Sequence, residues 1–385
     1  MNRRAFLRHA ALVGGTAALA ACGGRGNQAP QAPAAARPSA FPTVRPTITL
    51  PVASSPRAPL PTSDPTSAVA EPTATPSRTP QATADDWRGT VVLVKTANRA
   101  EGVRRAVELL GVNPIQGKKV LLKPNFNSAD PAPGSTHPDT LRSMIVRLRE
   151  MGAGAITLGE RSGMGDTRRV MQQLGAFDLA KELGFETVVF DDLDEKGWVL
   201  IQSKDDHWKR GFAVPRSLLD AEAVVQICNL KTHRYGGHFT LSLKNSVGFA
   251  AKQIARTGYN YMTELHSSPD QRTMIAEINR AYAPALVVMD GVEAFTNGGP
   301  DRGNLVRPEV ILAGRDRIAL DVVGVAILRL FGTTPEVSAG RVFEQAQIAR
   351  AVELELGARG PQDVRILTGD DASAAFSAEI RPLIT

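Results

Sequence analysis

The chemistry-bearing part of this chain is the run Lys231-Thr232-His233-Arg234-Tyr235-Gly236-Gly237-His238-Phe239-Thr240-Leu241-Ser242-Leu243-Lys244-Asn245. Two Lys, two His and an Arg stand within fifteen residues, around a glycine pair that lets a ligand approach the backbone. Read as a strand, His238, Thr240, Ser242 and Lys244 share one face. Read as a helix, Thr240 and Lys244 lie one turn apart, and the glycines open an anion-binding N-terminus. Both readings converge cations and hydroxyls on one spot, and the plainer alternative is a solvated hairpin. Lysines bind carboxylate or phosphate as point charges, and an imidazole titrates near working pH. His233, Lys231 and Lys244 are therefore the candidate catalytic residues.

A site needs elements to position it. Short apolar runs at Val91–Val94, Val120–Leu122, Ala155–Leu158, Thr187–Phe190, Ala223–Ile227, Leu286–Met289 and Val310–Ala313 read as strands. Helical patterns fall between them, over Val103–Leu110, His137–Met151, Val170–Leu174, Leu179–Leu183, Met274–Ala281 and Ile318–Leu330. Such alternation predicts an α/β fold, a mostly parallel sheet with helices on both faces, in one domain or two subdomains. In such sheets ligands bind beyond the carboxyl ends of the strands. There the sequence places Lys123-Pro124-Asn125, Glu160, Asp191-Asp192, Lys231-Thr232-His233 and Asp290. Lys123, Asn125, Asn245 and Asp290 are the candidate substrate-binding residues, with Asp290 holding His233 or a metal. Singly, each is as well explained by a strand turning polar where it meets water.

His233, His238 and His266 fall within 34 residues and could bind a divalent transition metal. Their spacing matches no standard zinc pattern. Arg161-Ser162-Gly163-Met164-Gly165-Asp166 lacks the third glycine of a dinucleotide loop, and a tight turn with Asp166 as helix N-cap explains it. Cys228, inside an apolar run, reads as core.

The chain has 385 residues, 43% hydrophobic and 22% charged, a globular balance. Of its 26 prolines, thirteen lie between residues 30 and 80. Residues 1–86 hold eight Arg, no Lys and four acids, so they carry +4 of the formal +6. The remainder is nearly neutral and poor in aromatics, which argues against nucleic acid as a partner. Two cysteines, Cys22 and Cys228, cannot build a disulfide framework or an iron–sulfur cluster.

The leader, residues 1–22, opens Asn2-Arg3-Arg4-Ala5-Phe6-Leu7-Arg8, continues through twelve uncharged residues and ends Leu19-Ala20-Ala21-Cys22. It resembles a twin-arginine export signal followed by a lipobox, in which the Cys is lipidated. The resemblance implies export machinery and lipoprotein-processing enzymes as partners. It also implies a location outside the cytoplasm, anchored to the outer face of the bacterial cytoplasmic membrane. Residues 23–86, rich in Pro, Thr, Ala and Ser, read as a disordered spacer before a folded part at 87–385.

From Val91 to Gly332 the chain resembles the bacterial and archaeal domain of unknown function 362. The matching motifs are Lys123-Pro124-Asn125, Lys231-Thr232-His233, Lys244-Asn245 with Gly248, Asp290-Gly291, Gly299-Pro300 with Gly303, and Ala313-Gly314-Arg315-Asp316 leading to Asp321. That family offers no activity to transfer. Its ferredoxin-like cysteine clusters are missing here, so no iron–sulfur cofactor carries over. A fainter similarity is to the N-terminal region of lactate-racemase-type proteins, which bind a nickel-pincer nucleotide. Lys231, His233, Lys244 and His266 fall in comparable places. Two functions stay open: an extracytoplasmic enzyme acting on a small anionic substrate, and a lipoprotein that binds a ligand or metal without chemistry.

Overall fold

Ten strands of one mixed sheet place the chemistry-bearing residues. The structure, a computed structural model, describes residues 87–254 and 257–385. The expected signal, Cys22 and the spacer at 23–86 lie outside the described residues.

In chain order the first half runs β1 (Thr90–Lys95), α1 (Arg99–Leu109), β2 (Lys119–Lys123), α2 (Pro138–Glu150), β3 (Ala155–Glu160), α3 (Thr167–Gln173), α4 (Ala176–Leu183) and β4 (Glu186–Val189). A separate hairpin, β5 (Trp198–Ile201) and β6 (Phe212–Pro215), precedes α5 (Arg216–Leu219), then β7 (Ala223–His233), β8 (His238–Thr240) and α6 (Ser242–Asn245). Two short helices follow, α7 (Tyr261–Ser267) and α8 (Gln271–Ile278), then β9 (Leu286–Gly298), β10 (Gly303–Val306), β11 (Val310–Gly314) and α9 (Arg317–Leu330). The chain closes with α10 (Pro335–Ser338), α11 (Ala346–Glu353), β12 (Arg365–Leu367) and α12 (Asp371–Ile380).

The main sheet has the order β12-β1-β11-β9-β7-β2-β3-β4, with β8 added to β7 and β10 to β9. Five of the seven neighbouring pairs along that order are parallel; β11 runs against both its neighbours, and the added β8 and β10 run against β7 and β9. The expected α/β fold with a mostly parallel sheet is what forms. Alternate residues feed opposite faces. Val120, Leu122, Val225, Ile227 and Val288 pack on one side with residues of α1 and α2. Cys228, Leu230, Val287 and Met289 pack on the other with residues of α9, α11 and α12. Leu121 and Val224 meet α8 and the β5–β6 hairpin there. Cys228 is core, as expected, and Asp166 caps α3 by accepting from Arg169 N at 2.8 Å.

Two strands outrun their apolar cores. β7 continues six residues past Ile227, and β9 nine residues past Met289. Asp290 is therefore not at a strand end. It sits mid-strand, opposite Asn229 of β7 and Ile311 of β11.

Chain direction reverses at one point. From β2 the chain steps outward to β3 and β4, while β7 lies on β2's other side and leads to β9. Open sheets bind ligands at such a switch point, beyond the carboxyl ends of the strands. Over it lies α6, too short to hold itself. Asp321 of α9 holds it: its carboxylate accepts Ser242 N at 2.7 Å, Ser242 Oγ at 2.5 Å and Leu243 N at 3.2 Å. Burial pushes the Asp321 carboxyl up to about 7, against these hydrogen bonds. Asp321→Ala orphans two buried N–H groups, Ser242 N and Leu243 N, while the Ser242 hydroxyl keeps Arg317 O at 3.1 Å. We expect it to lower the unfolding free energy by about 2–4 kcal/mol in urea titrations, since each such group costs about 1–3.

Candidate functional site

Between the ends of β2, β3 and β7 lies a small polar chamber of about 40 Å³. It opens into an outer cleft of about 540 Å³, whose walls include Met164, Tyr235, Met262 and His266. Asn127, Arg161, His233, Lys244 and Pro300 line both.

Lys123, the last residue of β2, is 1% exposed and ion-pairs with Glu160 at the end of β3, Nζ to Oε1 2.6 Å. Glu160 also accepts Phe126 N at 2.9 Å and Arg161 N at 2.8 Å. Burial lowers the Lys123 ammonium, and Glu160 opposes that. Gly248 makes this floor fit. A Cβ there would lie 2.5 Å from Lys123 Nζ and 2.8 Å from Glu160 Oε1.

Asn125 and Asn245 form the next layer. Asn125 donates through Nδ2 to Asn245 Oδ1 at 3.3 Å, and Asn245 donates to Ile227 O at 3.2 Å. Both line the chamber.

Lys231 and His233 share a face of β7, two residues apart, yet only His233 reaches the chamber. Lys231 is fully buried, donating to Asn125 Oδ1 at 2.9 Å, to Pro300 O at 3.1 Å and to Gly134 O. Burial with Lys244 nearby lowers its ammonium to about 7, while three oxygens oppose the loss of its proton. Its role is to tie loops together. It is not among the chamber's lining residues, contrary to the catalytic role expected from its place in the motif.

His233 is 7% exposed, and neither ring nitrogen has a hydrogen-bond partner among the described residues. Burial, then the charges of Lys244 and Lys231, lower its pKa well below the usual range, so the imidazole is neutral at pH 7. Lys244 stands across Gly237 from it. A Cβ on that glycine would lie 2.7 Å from Lys244 Cε and 3.0 Å from His233 Nδ1. The Lys244 ammonium has no hydrogen bond or ion pair among the described residues. Burial, with Arg161 nearby, lowers it to about 8.

Four polar groups on chamber-lining residues thus have no hydrogen-bond partner among the described residues: Lys244 Nζ and the buried His233 Nδ1, Thr240 Oγ1 and Asn127 Nδ2. Arg161, 2% exposed, adds a further charge. Its guanidinium donates to Ala250 O at 2.9 Å and to Val247 O.

A scan against known families matches Domain of unknown function (DUF362) over residues 120–326. The chain belongs to the DUF362 family. That match spans every chamber residue named above. A thylakoid-associated protein of Synechocystis sp. is 26% identical over 217 residues, 56% of this chain and 64% of that protein. Among solved structures, the lactate racemase apoprotein from Thermoanaerobacterium thermosaccharolyticum is similar at TM-score 0.40 and 16% identity, over 64% of this chain and 59% of that one. A protein from Thermotoga maritima is similar at TM-score 0.37 and 12% identity, over 61% and 59%. The DUF362 chain spans less than two thirds of each of these relatives.

Two expectations for this DUF362 chain need correcting. Asp290 neither lines the chamber nor touches His233. Its carboxylate is taken by Arg99 of α1 at 2.9 Å, Thr140 Oγ1 of α2 at 2.6 Å and Val292 N at 3.0 Å. The three histidines do not share one pocket either. His238, paired with His233 across β7 and β8, lines a second pocket with His233, Asn297 and Glu336. His266 lies in the outer cleft, its Nδ1 2.7 Å from Met262 O. No group of three His, Cys, Asp or Glu suited to a metal occurs among the described residues.

Arg161 and Asn127 were not singled out in the sequence as site residues. The available signal was position: Arg161 directly follows a strand-end acid beside the switch point.

Proposed function

We propose that this DUF362 protein takes a small anionic compound into the chamber and acts on it there, after export and lipid anchoring at Cys22. One observation carries the reading: an unpaired ammonium and three unpaired buried polar groups belong to residues that line a single small chamber. Orphaned buried groups are costly, and an anion with several acceptor oxygens would satisfy Lys244, Asn127 and Thr240 together. Among the described residues Glu160 is the one acid lining the chamber, and Lys123 already neutralises it. Lys244 and Arg161 then leave an excess of positive charge. The neutral His233 beside Lys244 is poised to take a proton from the bound compound and return it.

A thermal-shift screen of phosphates and carboxylates on the full chain tests this. The expected result is a raised melting temperature with one anion class, lost in Lys244→Met. His233→Ala should keep that shift and lose turnover by about 10²-fold or more. A ligand bound yet recovered chemically unchanged would favour the non-catalytic binding lipoprotein. No shift with any anion would overturn both readings.

A further inference from the structure

We infer that Lys244 is a carbon-capturing nucleophile, forming an imine with the carbonyl group of a 2-oxo acid bound in the outer cleft. This rests on the anion-binding reading above and narrows its substrate class. Lys123 and Lys231 lie in the same motifs, but each ammonium is consumed by partners, Glu160 for one and three oxygens for the other. Lys244 alone of the three is unpartnered among the described residues and borders both chamber and cleft. A lysine in a desolvated pocket near another cation releases its proton readily and becomes nucleophilic. Arg161 is that cation, and burial brings the Lys244 amine to about 8.

A carboxylate on the substrate has its own receptors. Asn127 Nδ2 is buried without a partner, and Arg161 Nη1 has only a 3.5 Å contact with Ser162 O. The chamber's 40 Å³ suits a head group of a few atoms, and the 540 Å³ cleft takes the remainder. In the reaction the Lys244 nitrogen forms a bond to the carbonyl carbon, and the C=O π pair passes to oxygen. Both amine hydrogens leave with that oxygen as one water, relayed by the His233 imidazole that lines chamber and cleft beside Lys244, and the C=N bond closes. No oxidant or reductant is needed.

The test uses the full chain with glyoxylate or pyruvate and cyanoborohydride, which reduces an imine to a stable secondary amine, followed by intact mass and peptide mapping. One adduct per chain is expected, at Lys244, exceeding any other lysine by about tenfold or more at pH 7. It should rise to half-maximum near pH 8 and be absent from Lys244→Met. Labelling spread over surface lysines, equal in wild type and Lys244→Met, would overturn the inference, as would no labelling. Propionate, which has the carboxylate without the carbonyl, separates the two readings. If it raises the melting temperature while no adduct forms, anion binding stands and the covalent step falls; if neither occurs, both fall.

Discussion

Glu160→Gln is expected to destabilise this protein by about 3–5 kcal/mol at pH 7, read as a lower urea midpoint with unchanged slope. The substitution keeps the shape of the side chain and removes the charge that faces Lys123, at a place where both groups are 1% exposed. An ammonium buried without its counter-ion must stay uncompensated or give up its proton on folding. The glutamine amide is also a poorer acceptor. Glu160 receives Phe126 N on one oxygen and Lys123 Nζ with Arg161 N on the other, and Gln offers one oxygen for all three. The loss should shrink between pH 7 and 10, because the unfolded variant then sheds the same proton without cost. The double variant Lys123→Met, Glu160→Leu should recover most of the stability, since paired removal leaves no stranded charge. A single variant as stable as wild type would show that Lys123 is already neutral in the folded protein.

The second large effect has the opposite sign. Lys244→Met should stabilise the fold at pH 7 by about 2–3 kcal/mol while abolishing anion binding. Folding takes the Lys244 amine from its ordinary value of 10.5 to about 8. Between those values the unfolded chain binds more protons than the folded one, so wild-type stability rises with pH. Below about 8 the folded protein carries the full penalty of an unpaired buried ammonium. The methionine variant never carries it, so its advantage should fade as pH climbs from 8 to 10.5. Melting curves across that range measure the gap between the two proteins. A constant gap would mean that the amine is not desolvated. Side chains that destabilise their own fold mark a site kept for ligand rather than for structure.

Much of the scaffold was readable because its first half is built of short apolar runs separated by well-signalled helices. Val91–Val94 and Val120–Leu122 are parts of β1 and β2, and His137 caps α2 where its pattern began. The far ends of β7 and β9 were not readable. Asn229, Lys231 and Asp290 look like exits to solvent, yet backbone pairing carries on past them because other polar groups cover them. Asp290 was assigned to the site for that reason, and Arg99 and Thr140, distant in sequence, claim it instead. The converse applies to Arg161. Its serine- and glycine-rich surroundings suggest an exposed turn, and only the carbonyls of Val247 and Ala250 make it a buried wall. Lys244, His233, Lys123, Asn125 and Asn245 were legible as a cluster. Which of the lysines is free could not be read from one dimension, since it depends on partners more than 30 residues away in sequence.

Lys231 also bears on motion. Its one nitrogen holds Asn125, Gly134 and Pro300, three places contributed by the segment after β2 and by the β9–β10 hairpin. Neither segment can lift away from the sheet without breaking a Lys231 contact, and each has a further tie of its own, Ser135 O to Asn229 Nδ2 at 3.0 Å and Gly299 O to Arg234 Nη1 at 2.9 Å. Opening from that side therefore breaks several contacts at once, and the less costly way to the chamber is the cleft lined by Tyr235 and His266.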